Sequence, residues 1–379
     1  MTMPTVGQPP DDPLIEIILR LPPISGRRRV RLVCRRWRDA VDDNDLAPEI
    51  STARPKPLAS LRQFACATTA RVFDDLAGKG RGGTRKIHLS DGGGEIVGTC
   101  NGLICLWRGD NIVVVNPVTA RAFLCRCRMG QPGPERLSFA YHPLTGEYKI
   151  VHLLAVVVAV YTKKGRDAAA DMVVAKVLTL GDASSTWREI TAPMSMSVLT
   201  SIGAFVDGVT YWVTKDKRIV SLDHEHDKRV TCVKPLPPAA IAIMMKRCHW
   251  RLTEVAGKLG IAITSYQNTT SNVEVWVLEG ARSKLTWSHR YTVEGLQHGQ
   301  NIAWPHFAYG ENILTINNRG LYCLLYTHWL WPHKNRRSVA RANMETDMVV
   351  EKFAEVNCPK MFSYVETTEP VNLYREMHR

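Results

Sequence analysis

Two cysteine groups, one histidine pair and two glycine-rich runs are where residue type and spacing in this chain could support chemistry. Thiolates bind zinc when a second pair stands at matching spacing. Cys100-x4-Cys105 and Cys125-x-Cys127 have no such second pair. On a hairpin, residues five apart are expected to face opposite ways, so Cys100 and Cys105 should diverge, whereas Cys125 and Cys127 share a face. His224-x-His226 falls in a polar turn after an apolar run, where solvated histidines are ordinary. Residues 78–84 hold the glycines, lysine and threonine of a phosphate cradle, but in the wrong order and spacing. They read as a surface loop, as do residues 92–94. The chain has no G-x-S-x-G elbow, no H-E-x-x-H pair and no Walker loop. Binding rather than catalysis is the expectation, with no metal and no cofactor.

The elements that must position these residues are mostly short strands. Residues 102–107 are apolar, 109–111 are a turn, and 112–115 are apolar and β-branched, which is a hairpin signal. Similar units begin near Val173, Gly208, Leu259 and Ile313, and often carry a tryptophan on a third strand. Their spacing of roughly 40 to 55 residues is that of propeller blades. Short strands hide their edges best by closure or radial repetition. The flanks, residues 64–73 and 353–365, could pair to complete a further unit. The expected fold is mainly β and propeller-like with a small α-helical module before it, a β-sandwich being the alternative. Trp107, Trp187, Trp212, Trp276 and Trp287 sit at comparable points of the repeat and read as core between blades. Trp329 and Trp331 differ, lying in an aromatic, proline-ended run beside Lys334, Arg336 and Arg337. That composition suits contact with a target, with core packing the equal alternative.

Ahead of the β-rich part the period changes. Leu14, Ile17, Ile18 and Leu21 share a helical face that Pro22 and Pro23 terminate. Val30, Val33, Cys34, Trp37 and Val41 share a second face, with Arg28, Arg31, Arg35 and Arg38 largely off it. So short a module cannot hide this much apolar surface alone, so a partner is expected to cover it. The resulting division is a tail over 1–8, a helical module over 9–45, a proline-containing linker over 46–62, and a β-domain over 63–379.

A content of 45% hydrophobic and 22% charged residues in 379 is that of a folded globular chain, not a disordered one. The net charge of +13 favours partners with acidic surfaces. No basic-aromatic module accompanies it, so a protein partner is expected before nucleic acid. Residues 1–12 are polar and proline-rich with no apolar stretch, and the longest apolar run, 153–161, is far short of a membrane span of about 20 residues. The expectation is no membrane, free thiols in a reducing compartment, and a cytoplasmic or nuclear location.

Two segments carry a family resemblance. Residues 11–23, Asp-Asp-Pro-Leu-Ile-Glu-Ile-Ile-Leu-Arg-Leu-Pro-Pro, followed by Arg31-Leu-Val-Cys-Arg-Arg-Trp-Arg38, resemble the F-box motif, in the style of the large plant families, especially those of grasses. Pro9-Pro10 stands where that family usually has Leu-Pro, and residues 26–29, Gly-Arg-Arg-Arg, replace apolar residues between its helices. Val97-Gly-Thr-Cys-Asn-Gly-Leu-Ile-Cys-Leu106, Asn116-Pro-Val-Thr119, residues 139–151 and Trp187-Arg-Glu-Ile190 resemble the F-box-associated domain. The resemblance implies docking on the Skp-type adaptor of a cullin–RING ubiquitin ligase through Pro10, Leu14, Ile17, Ile18, Leu21, Pro22, Val33, Cys34 and Trp37. It implies equally that the β-domain captures a target protein while partner subunits transfer the ubiquitin. The alternative function is a propeller interaction module whose atypical F-box attaches to no ligase.

Overall fold

The computed structural model describes residues 13–21, 30, 33–43, 55–62, 68–74, 76, 83–91, 93–109, 111–126, 137–142, 146–162, 165–180, 187–191, 203–206, 209–213, 218–223, 230–237, 249–267, 270–280, 285–297, 299–319, 322–330, 338–341, 348–354, 359–369 and 371. Among the described residues, the helices α1 (Pro13–Arg20) and α2 (Arg35–Asp43) precede six sheets. No helix among the described residues is long and apolar enough to cross a membrane.

The six sheets are the blades of a β-propeller. Blade two runs Glu95–Cys100, Leu103–Arg108, Asn111–Asn116, Arg121–Arg126. Blade three runs Leu137–His142, Glu147–Thr162, Gly165–Thr179, Arg188–Thr191, and blade four Ala204–Val206, Val209–Val213, Arg218–Asp223, Val230–Pro235. Blade five has His249–Val255, Lys258–Gln267, Thr270–Glu279 and Thr286–Gln297. Blade six has Gln300–Ile302, Asn312–Asn318, Tyr322–Trp329 and Met348–Ala354. These five blades are the five units legible in the sequence. Blades two, three and four are local meanders, so one strand's turn chemistry fixes the next strand's place. The chain between Tyr322–Trp329 and Met348–Ala354 of blade six instead adds Ser338–Arg341 to the edge of blade five. The turn at Asn101-Gly102 has φ of 50° and 80°, the pair of positive angles that a two-residue hairpin needs.

Blade one is made from both ends of the β-domain. Lys360–Tyr364 lies beside Lys56–Arg62, followed outward by Thr68–Phe73 and Thr84–Ser90. Thus the flanks do complete one unit, but Lys56–Arg62 lies between them and belongs to the propeller, not to a linker. Its prolines disguised it: Pro55 precedes the strand, and Pro57 pairs in register with Ser363 although it has no N–H to donate. Closure continues across the ring. Met361 donates its N–H to the Trp304 carbonyl at 2.8 Å, and His306 donates to the Met361 carbonyl at 3.0 Å. Backbone hydrogen bonds therefore join blade six to blade one.

The core lies between blades, which excludes the β-sandwich. Ile96, Ile104 and Leu106 of blade two pack on Leu58, Val72 and Tyr364 of blade one. Cys105 and Val114 of blade two meet Phe139, Tyr148 and Ile150 of blade three. Val151 and Val177 meet Trp212 and Val220 at the next boundary, and Val213 and Ile219 meet Leu252 and Ile261 at the one after. Val275 and Val293 of blade five, Leu314 and Leu325 of blade six, and Ala59 and Phe73 of blade one form the last cluster. The tryptophans behave as the repeat implied. Trp212 is fully buried, Trp107 and Trp187 pack against the cluster between blades two and three, and Trp276 and Trp287 against that between four and five.

Candidate functional site

The first candidate surface is the helical module. Proline suits the first turn of α1 because that N–H has no intrahelical acceptor in any case. Glu16 in that turn and Arg20 in the last both complement the helix dipole, and the two form an i,i+4 ion pair. Across the module Leu14, Ile18 and Val41 are buried together, with Val30, Trp37 and Ala40 packed against them. Ile17 and Val33 instead remain 51% and 65% exposed, and Cys34 is exposed. The apolar face read as continuous from the sequence is therefore divided. Leu14 and Ile18, four residues apart, hold the two helices together, and Trp37 braces them. Ile17 and Val33 face outward. Leu21 is half-buried, its N–H bonded to the Ile18 carbonyl at 3.0 Å, while Pro10 and Pro22 lie outside the described residues. Among the described residues of the module, Ile17 and Val33 are the exposed large hydrophobic side chains.

The second candidate is the propeller axis. A cavity of about 100 Å³ is lined there by residues of every blade, among them Thr99, Ser138, Phe205, Glu254, His306 and Lys360. Such a volume admits a few water molecules or the tip of one side chain. Glu254 accepts the Gly257 N–H at 2.7 Å and has its other oxygen 3.6 Å from His306 Nδ1. Burial pulls the His306 pKa below its ordinary value, with the Glu254 carboxylate pulling the other way. Lys360 pairs with Glu95 and lies 5.6 Å from the Trp304 ring centroid. Thr253 donates its hydroxyl to the Pro305 carbonyl at 2.7 Å, and Thr99 donates to that of Ser363. The lining is thus mixed in charge and hydrogen-bonded to itself.

Of the tryptophans assigned to target contact, Trp329 is 44% exposed at the end of its strand. Its neighbour His328 is buried, with Nε2 at 2.6 Å from the Thr315 hydroxyl. Trp331, Lys334, Arg336 and Arg337 lie outside the described residues, as do Cys127, His224 and His226.

The cysteine faces require correction. Cys100 pairs in register with Leu103, so the two-residue turn inverts the parity and puts Cys100 and Cys105 on the same face. Both belong to the apolar cluster that also holds Cys125. Burial pushes the Cys100 thiol up to about 12, helped by the Glu369 carboxylate, and raises that of Cys105 as well. They pack as small hydrophobes.

The sequence motifs have a role that their spacing did not disclose: they seat the C-terminal segment. Asn116 donates its side-chain amide to the carbonyls of Thr367 and Glu369 at 3.1 and 2.6 Å. Its Oδ1 accepts the N–H groups of Val118 and Thr119, shaping the Asn-Pro-Val-Thr turn. Thr367 donates its hydroxyl to the Asn101 carbonyl at 2.6 Å. Asn101 in turn donates to the Tyr148 hydroxyl at 3.0 Å, joining the motifs of blades two and three. Glu366 pairs with Lys56 at 3.4 Å and with Arg85, and Val371 is buried between blades two and three.

Comparison with known proteins agrees with both parts. The family model of the F-box domain matches residues 10–48, and that of the F-box associated beta propeller domain matches residues 84–329. An F-box protein of Arabidopsis thaliana is 27% identical over 310 residues, covering 75% of this chain and 72% of its own length. An F-box/LRR-repeat protein of Arabidopsis thaliana is 25% identical over 307 residues, covering 77% of this chain and 68% of its own. With an F-box domain before a closed ring of six blades, the chain belongs to the F-box associated beta propeller family.

Proposed function

We propose that this chain is the substrate-recognition adaptor of a Skp–cullin–F-box ubiquitin ligase. Its helical module docks on the Skp-type adaptor and its propeller captures a target protein. The observation that carries the reading is the division of the helical face: Leu14, Ile18 and Val41 make an internal core, while Ile17 and Val33 present apolar surface outward. Helix-in-groove docking uses such protruding side chains as anchors. Proximity is then the chain's contribution to the chemistry. It raises the effective concentration of a target lysine near the conjugating enzyme and makes no bond itself. The basic balance of +13 suits steering toward acidic partner surfaces.

Mixing the full-length chain with a purified Skp-type adaptor tests the first half. A one-to-one complex on gel filtration is the expected result. A folded chain that elutes apart from the adaptor would leave an interaction module unattached to a ligase.

A further inference from the structure

Blade five carries an additional strand on its outer edge. Ser338–Arg341 comes from the chain between the last two large strands of blade six and runs parallel to Thr286–Gln297. The other ladders of blades five and six are antiparallel. Four residue pairs make up the contact, from Tyr291 opposite Ser338 to Glu294 opposite Arg341. Parallel pairing is slightly weaker per residue, and an outer edge offers its free N–H and C=O groups to any extended chain. The receiving strand is firmly held, since Tyr291 and Val293 are buried in the core between blades five and six. A fixed seat thus has a short occupant.

We propose that the outer edge of blade five is a strand-acceptor site, filled in cis by Ser338–Arg341 and opened to an extended segment of a captured target. The register defines what such a segment must contain. Ser338 and Ala340 stand at the positions of Tyr291 and Val293, whose own side chains fill the core row. Val339 and Arg341 stand at those of Thr292 and Glu294. A competing segment therefore needs small residues at two alternate positions, a β-branched residue between them, and arginine or lysine opposite Glu294. Main-chain hydrogen bonds supply its affinity and the alternate side chains its specificity. This deepens the target-capturing half of the proposed function and does not depend on the helical module.

The test uses the full-length chain and a fluorescein-labelled synthetic peptide of residues 336–343. Ala340→Pro weakens the cis strand, because proline disrupts strand pairing. The peptide should then bind the variant at least about tenfold more tightly than the unmodified chain, and an Arg341→Glu peptide should bind neither. Equal affinity for both chains, or no binding to a variant that keeps its thermal transition, overturns the proposal. Hydrogen exchange on the unmodified chain is the second measurement and needs no variant. Amides of Ser338–Arg341 should exchange at least about a hundredfold faster than those of Thr270–Glu279 in the same blade. Matching protection of the two strands overturns it too. Adaptor co-purification is a separate readout, so failure of either idea is distinguishable from failure of the other.

Discussion

The side-chain amide of Asn116 donates to the main-chain carbonyl of Glu369 across 2.6 Å, although the two residues are 253 apart in sequence. Through the same side chain the Asn-Pro turn of blade two is tied to the segment that follows the ring-closing strand Lys360–Tyr364. Replacing Asn116 by alanine leaves buried carbonyls and turn N–H groups without these partners. A loss of about 1–3 kcal/mol is expected from the urea midpoint, with proteolysis first removing residues beyond 365. Asn116→Asp keeps the acceptor for Val118 and Thr119 but replaces the donor with a charge facing carbonyls. It should be at least as destabilising, and a variant as stable as the parent would refute the seating role.

The seat at Gly102 has a matched control in Gly109, at the opposite turn of the hairpin. Both have positive φ, 80° and 61°, which penalises any L side chain. A methyl group at Gly109 meets nothing within 4 Å, whereas at Gly102 it would lie 2.3 Å from the Thr367 hydroxyl and 2.9 Å from the Val365 carbonyl. Gly109→Ala should cost about 1 kcal/mol from backbone strain alone. Gly102→Ala should cost about 3 kcal/mol or more, because the tail must lift from its seat. Equal denaturation midpoints for the two variants would mean that the tail does not rest on this turn.

Much of this fold is legible in the sequence because most neighbouring strands of a blade are consecutive in the chain. The strand Asn111–Asn116 is β-branched, turn-bounded and adjacent in sequence to its partners, so the residues between Leu103 and Arg126 suffice to place it. Ring closure is not local. Nothing in the residues around Pro57 announces a partner more than 300 positions away, and its prolines imitate a linker. Cys100 failed for a smaller reason, since counting five residues along a chain ignores the turn that reverses it. On the helices, Leu14 and Ile17 fall on overlapping sectors of one face. Which of them turns inward depends on where α2 crosses, and helical spacing alone does not contain that.

The divided helical face predicts opposite consequences for neighbouring residues. Ile17→Asp and Val33→Asp place charges where the side chains are already exposed, so stability should change by no more than about 0.5 kcal/mol. Their effect should fall on adaptor binding, with co-elution lost in the double variant. Ile18→Ala opens a cavity beside Leu14 and Val41, expected to cost about 2–5 kcal/mol within the module. Hydrogen exchange of the α1 and α2 amides reads that loss directly. Should Ile17→Asp and Val33→Asp leave a stable complex intact, the adaptor uses another surface.

The axial imidazole makes stability depend on pH in a defined direction. His306 has its pKa held below the ordinary 6.5 by burial, with Glu254 opposing. In the unfolded chain the imidazole takes up its proton near 6.5, whereas in the folded chain it does so only at lower pH. Between those two values the unfolded state binds more protons, so stability falls as pH drops through that window. Above 6.5 both states are neutral and the contribution is complete and constant. Replacing His306 by asparagine, which does not titrate, should flatten the fall in urea midpoint between pH 7.5 and 5 relative to the parent. Glu254→Gln should steepen it, because the carboxylate that favours the protonated imidazole is gone. Identical pH profiles for parent and His306→Asn would show that another group governs acid sensitivity in this range.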